Sequence, residues 1–505
     1  MSAVSPSGAP TRRRTTSVLR AGEPSGLEQA WPTPVRVLVW ATACLAVAGG
    51  TALSPLVGAA MVAGIAGALF LLHRPVVAAV LVVAVAPAVS GVARGLPVPG
   101  ARLSEVLIAG TAVLVLLLTR LDEPPWRAVD GTLLVYALAT VVLGTTGALL
   151  HDIPFDGESI SDLVLPFQFL LVMRAAATAL ARPQDRHRAL RWTLWGGAAV
   201  SALAIAQRFV PPVQAAVVSL TGSENYAFNE LYFVSRATGP FPIWHFLGGY
   251  LLVVALLAVA LLVHGDRLVM RRRDLVVVLA VTTTGIVLTL TFAVLFGLVL
   301  GFVLLALWSG RGRVWLSRGI AVGIAAGIVA SPLIGARLDD QRAPGAGDSL
   351  VPQTLSFRWE IWTGQYFPAL RGQWLFGYGP GIPPEISWRF TESVYITYLL
   401  QGGIVLLVLF LAQQYVLFRT MRNLRSSGDS TRTAVSSTVA AMVVVLLPLH
   451  AVFPYMVGLG LPQLFWALAG VAMAGLPRST APAGPRPARA AGAEDAGDRP
   501  GHPNG

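Results

Sequence analysis

Long apolar runs, most of them close to the length of a bilayer crossing, recur from residue 35 to residue 476 with short polar connections between them. A helix needs about 20 apolar residues to cross a hydrocarbon core about 30 Å thick. In lipid there is no water to bond the backbone amides, so such runs close their hydrogen bonds internally as helices. Composition agrees: 55% of the 505 residues are hydrophobic, only 12% are charged, and the mean hydropathy is +0.67. A soluble domain cannot hide that much apolar surface. The expected fold is an all-α, polytopic transmembrane helix bundle with a long extracytoplasmic loop carrying short amphipathic helices.

The spans are expected near 35–50, 52–72, 76–92, 102–119, 129–149, 161–181, 190–210, 241–263, 274–290, 292–308, 319–334, 393–418, 435–455 and 461–476. That is about fourteen at the length one crossing requires. Residues 1–34 form a basic arm, 35–476 the transmembrane domain with outer loops 211–240 and 335–392, and 477–505 a Pro-, Ala- and Gly-rich tail of disordered composition. With no cleavage site closing a short apolar region, the first span reads as a retained signal anchor.

All 37 basic residues are arginine, and the net charge is +12. The arginines cluster in alternate short connections: Arg74; Arg120 and Arg127; Arg182, Arg186 and Arg188; Arg267 and Arg271 to Arg273; Arg311 and Arg313; Arg419, Arg422 and Arg425. The positive-inside rule then puts these connections and both termini in the cytoplasm of a plasma (inner) membrane protein. The charge reflects topology, and no nucleic-acid partner is expected. The single cysteine, Cys44, excludes an intramolecular disulfide and a cysteine-based metal site. No P-loop, zinc motif or Ser-His-Asp arrangement is present, and no cofactor is expected.

Loop 335–392 departs from the rule: it lies outside yet carries Arg337, Arg342, Arg358, Arg371 and Arg389. An anionic ligand on the outer face accounts for arginines that topology does not require. In SFRWEIW (356–362), helical spacing puts Arg358 and Trp362 one turn apart; each suits an interface anchor, or a phosphate and a sugar face respectively. Further on, RGQWLFGYGPG enters TESVYITYLLQGG, where helical spacing would align Glu392, Tyr395, Leu399 and Gly402/Gly403, with the glycines admitting a neighbouring helix. Glu392 there either complements the helix macrodipole or acts as a base. The segment SRATGPFPIWHFLGG offers Arg236 before its span and His245 one turn inside it. A guanidinium there meets lipid phosphates or a substrate diphosphate, and a histidine there is a packing residue or a functional one. Arg174, in the span 161–181, is expected to snorkel to the cytoplasmic surface.

Taken in order, RATGPF, SFRWEIW, LFGYGPG and TESVYITYLLQGGIV resemble the signature segments of bacterial O-antigen ligases and O-antigen polymerases, over roughly residues 230–420. The resemblance implies a metal-independent glycosyltransferase that moves glycan from a polyprenyl-diphosphate donor to an acceptor hydroxyl outside the membrane. Carried over, Arg358 binds diphosphate and Glu392 stands where ligases often have a catalytic histidine. These two are the candidate catalytic pair. Arg236, His245, Trp362, Arg371, Tyr378 and Tyr395 are the candidate substrate-binding set. Phe292 and Ala293 stand where the family carries Ser-Arg, which favours a polymerase or divergent member over a lipid A-type ligase. The implied partners are the lipid-linked glycan and membrane lipid, with a flippase and a chain-length regulator beside a polymerase. Two other readings stay open: a transporter or flippase, and a peptidoglycan-type polymerase of the shape, elongation and division family.

Overall fold

The computed structural model describes residues 67, 70–71, 74–96, 101–118, 126–154, 157–222, 236–310, 312–340, 353–381, 383, 386–388 and 390–476. The expected arm 1–34, the span 35–50, most of 52–72 and the tail 477–505 lie outside them. The described chain is helical and the bundle is all-α. Its helices are α1 (Pro75–Val80), α2 (Leu103–Leu118), α3 (Ala128–Leu150), α4 (Gly157–Ala179), α5 (Pro183–Phe209), α6 (Pro211–Thr221) and α7 (Trp244–Val263). There follow α8 (Arg272–Leu288), α9 (Phe292–Trp308), α10 (Gly312–Asp340), α11 (Gln353–Ile361), α12 (Val394–Leu424), α13 (Ser430–Leu449) and α14 (Leu461–Met473). A π turn, Leu81–Val85, extends α1 to Ala88, and another, Trp362–Tyr366, extends α11 to Ala369.

Six of these, α3, α4, α5, α7, α12 and α13, are long and apolar enough to cross a membrane. Shorter apolar helices include Phe292–Trp308 and Leu461–Met473. The expected spans coincide with these helices to within a few residues at most ends. The larger differences are α5, which starts at Pro183 rather than near 190, α10, which covers Gly312–Asp340 rather than 319–334, α12, which runs on to Leu424 rather than 418, and α13, which covers Ser430–Leu449 rather than 435–455.

Helix α7 is the axis: 89% of its most apolar window is buried. It packs against α5, α8, α9, α13 and α14, while α3 runs along α12 and α4 along α14. Lipid tails are as apolar as leucine, so close approach rather than water exclusion holds such helices together. Small residues supply it. A Cβ on Gly197 would meet Val254 at 2.5 Å, and one on Gly301 would meet Leu256 at 2.5 Å.

The two ends of the bundle differ in chemistry. At one, charged side chains bond to one another and to helix ends: Arg186 to Asp429 at 3.0 Å, His187 to Thr431 at 3.1 Å, and Arg432 to the Ala474 carbonyl at 2.9 Å. Arg174 belongs here, and it does not snorkel out. It is 6% exposed, 3.6 Å from the Asp130 carboxylate and 5.5 Å over the Trp126 ring. A carboxylate one helix away makes burial cheaper than reaching for water. The other end gathers α11, the described residues between 370 and 393, and the connections at 236–243 and 450–460.

Candidate active site

Helix α12 is broken where it was expected to be continuous. Gly402 (φ −151°, ψ 18°) and Gly403 (φ 65°, ψ −163°) leave helical geometry. The GYGPG loop takes the opening: the amides of Tyr378 and Gly379 donate to the carbonyls of Leu400 (2.6 Å) and Gln401 (3.1 Å), and Ile404 donates to the Trp374 carbonyl (2.7 Å). The two glycines therefore admit a loop, not a neighbouring helix. A Cβ on Gly403 would lie 2.2 Å from Leu375 backbone atoms, and its ψ with positive φ is open essentially to glycine alone. Two carbonyls and one amide at the break are thus bonded inside the protein.

With the loop docked, α11 and its π turn share one apolar cluster with Ile396 and Leu400 of α12. In an unbroken α-helix, Tyr366 would point about 80° away from Arg358; the extra residue of the π turn takes back about 100° and returns both to one face. Tyr366 is fully buried, and its hydroxyl reaches the carbonyls of Trp388 at 2.8 Å and Phe390 at 3.0 Å. Gln365 Oε1 accepts from the Trp388 amide at 3.1 Å and from Ser387 Oγ at 3.1 Å. These bonds tie the extended chain that leads to Glu392 onto the inner face of α11.

Glu392 precedes the helix. The N-cap is Ser393, so the expected first-turn position and the macrodipole role that goes with it do not apply. Instead, Glu392 takes a left-handed φ of 54°, which costs a residue with a Cβ of order 1–3 kcal/mol. That turn directs its side chain to Arg358. The Arg358 Nη2 and Nε both donate to Glu392 Oε2, at 2.6 and 3.0 Å, with the two side chains 15% and 17% exposed. Because both bonds fall on Oε2, Oε1 keeps its lone pairs for another donor. Ser393 Oγ and the Val394 amide then bond the His450 carbonyl at 3.0 and 2.9 Å, fixing the turn to the end of α13.

An aromatic floor joins this pair to the entry of α7. Phe390 meets Phe453 at 5.6 Å, Phe453 meets Tyr455 at 4.9 Å, and His245 stacks on Phe453 at 4.1 Å and 9°. Next to His245, the Arg236 guanidinium lies 4.5 Å over the Trp244 ring, 9% exposed. The chain at Arg236 is also fixed to the end of α8, because the amide of Ala237 donates to the Leu288 carbonyl at 3.1 Å. Burial pushes the Tyr455 phenol well up, and Arg358 offsets only part of this. Tyr366 is likewise pushed up by burial, and further by Glu392. The buried His450 imidazole is held down to about 3, so it stays neutral.

The structure therefore brings Glu392, Arg358, His245 and Arg236 to one end and one aromatic layer. Trp362 lies in the π turn beside Tyr366, against the small core of Ile361, Leu370 and Ile386. The remaining candidates lie apart from the pair. Arg371 stands exposed on the following turn, in no ion pair among the described residues. Tyr378 packs on His151 at 4.5 Å and bonds the Ala369 carbonyl. Tyr395 bonds the Leu447 carbonyl at 2.5 Å. Arg342 and Arg389 lie outside the described residues. Phe453, Tyr455 and His450 were missed because the apolar run hides the end of α13; the phrase HAVFPY, a proline between aromatics, was the available signal. Among the described residues, no three His, Cys, Asp or Glu side chains group to hold a metal. No family model and no curated protein sequence matches this chain.

Proposed function

We propose that the protein transfers or polymerises a polyprenyl-diphosphate-linked oligosaccharide onto an acceptor hydroxyl at the outer face of the membrane. The observation that carries this reading is the Arg358–Glu392 pair, held on a strained residue over an aromatic floor. A guanidinium fork matches the oxygens of a diphosphate, and the flat rings below suit sugar faces. The arriving diphosphate competes for Arg358 and loosens its hold on Glu392. The acceptor hydroxyl then gives its proton to Glu392, its oxygen bonds the anomeric carbon, and the bond from that carbon to phosphate breaks. The departing diphosphate takes the electron pair and stays against Arg358, where fixed charge in a partly dry site is most effective. Arg236, beside the end of α8 and next to the aromatic layer, is the candidate for a second positive group in a chain that has Phe292 and Ala293 where the family carries Ser-Arg.

One carboxylate opposite the leaving group implies a single displacement with inversion. Comparing the anomer of the product with that of the donor tests this, and a retained configuration rules it out. The broken α12 is a feature shared with transporters, whose unwound helices line a midplane site. Here the break is filled by the GYGPG loop and the Leu400 and Gln401 carbonyls are already bonded to it, which favours a docked lid over a passage. Following product size in proteoliposomes separates the outcomes: a ladder of repeats means a polymerase, one addition means a ligase, and an untouched donor returns the transport reading.

A further inference from the structure

At the arginine-rich end of the bundle, one turn of chemistry is left open. Helix α10 docks on α9 through Gly319, where a Cβ would collide with the Phe302 ring at 2.1 Å. Among the described residues its other flank finds no comparable partner, and Ile320 is 61% exposed. Between α10 and the ends of α7 and α8 lies a recess of about 200 Å³. Arg267, Arg272 and Arg318 line it, with Trp315 and the apolar Leu275. Its carboxylate, Asp266, is 3% exposed and committed elsewhere: Oδ1 accepts from the Leu268 amide at 2.8 Å, and Oδ2 accepts from the Thr431 hydroxyl. Among the described residues, none of the three arginines forms an ion pair, and Arg318 lies 5.7 Å over the Trp315 ring.

We propose that this recess binds the phosphate of an anionic membrane lipid. Three guanidiniums against one spent carboxylate leave the space strongly positive, and a phosphodiester complements it in charge and hydrogen-bond geometry. The apolar surroundings select a lipid over a soluble anion. Leu262 and Val263 at the end of α7 line the recess, and Val276 (51% exposed) stands one helical turn beyond Arg272 on the same face of α8, offering apolar surface for acyl chains. Tryptophan is the residue that suits headgroup depth. Along α7 the site lies about 30 Å from the Arg358–Glu392 pair's end, so it is independent of the proposed reaction. Basic recesses between spanning helices are a known physical form of lipid headgroup recognition.

The test is native mass spectrometry of the full chain released from nanodiscs made with equal phosphatidylglycerol and phosphatidylcholine. The proposal expects phosphatidylglycerol retained in preference, and its retention cut by about tenfold in the double variant Arg272→Gln/Arg318→Gln. Arg313→Gln, which alters an exposed arginine of α10 outside the recess, should retain lipid as the wild type does. Arg318→Gln alone, on the peripheral helix, covers the case in which the double variant fails to fold, and should lower retention measurably. Equal retention of the two lipids, or full retention in both recess variants, overturns the proposal. So does complete displacement of the lipid by millimolar inorganic phosphate, which would identify the ligand as a free anion.

Discussion

Two ion pairs stand at opposite ends of this bundle, and they are built for different purposes. Asp429 is woven into the fold: it bonds Arg186 at 3.0 Å and, as the N-cap of α13, accepts from the Arg432 amide at 3.1 Å. Its partner Arg186 is 4% exposed. Glu392 caps nothing and accepts, among the described residues, from Arg358 alone. Its backbone is strained where that of Asp429 (φ −90°) is relaxed. A carboxylate that closes a helix is explained by stability. One that costs the backbone energy and leaves an oxygen unused is explained better by what it meets.

The sharpest way to break this contrast is to remove each carboxylate. Glu392→Gln and Arg358→Ala should each lower glycan transfer by at least about 100-fold, the scale of a lost general base or leaving-group contact. Thermal midpoints should stay near the wild-type value. Gly403→Ala comes next. It cannot keep its backbone against Leu375, so the GYGPG loop should undock, shown by faster proteolysis between 370 and 381 together with lost transfer. Asp429→Asn should cost about 2–4 kcal/mol of stability by stranding the buried Arg186, while transfer per folded molecule is unchanged.

The acid response of the second pair has a definite sign. Burial pushes the Asp429 carboxyl up, but the Arg432 amide and the Arg186 charge outweigh it and hold it below the usual range. Its stabilisation is therefore complete above about pH 4 and fades as the pH falls through the lowered value. The gap in thermal midpoint between wild type and Asp429→Asn should narrow from pH 6 to pH 3. The smallest effect is expected from Tyr366→Phe. Losing the hydroxyl bonds to Trp388 and Phe390 should cost about 1 kcal/mol and reduce transfer only severalfold.

Much of the scaffold is legible in the sequence because lipid imposes one rule, a long apolar helix, at every crossing. The span 292–308 coincides with α9, and 129–149 differs from α3 by one residue at each end. What hydropathy cannot carry is where an apolar run stops being helical. Ala451, Val452 and Phe453 are as apolar as the helix before them, so the end of α13 at Leu449 is invisible to it. Gly402-Gly403 reads as a helix contact, and only the tertiary approach of Leu375 and Phe376 makes it a break. The pairing of Arg358 with Glu392 spans 34 residues and follows from no spacing rule. Both were candidates by residue type and by their place on an outer loop. Their contact depends on the π turn and on the left-handed Glu392, neither of which a pattern reveals.

The most direct measurement compares purified wild type with Glu392→Gln in proteoliposomes supplied with a polyprenyl-diphosphate oligosaccharide and an acceptor, following donor consumption by mass. Consumption by the wild type, with at most about 1% of that rate in a Glu392→Gln protein of unchanged thermal midpoint, is the expected result. Equal rates in the two proteins would contradict the role given to the Arg358–Glu392 pair, and a donor untouched by the wild type would contradict the transferase reading itself.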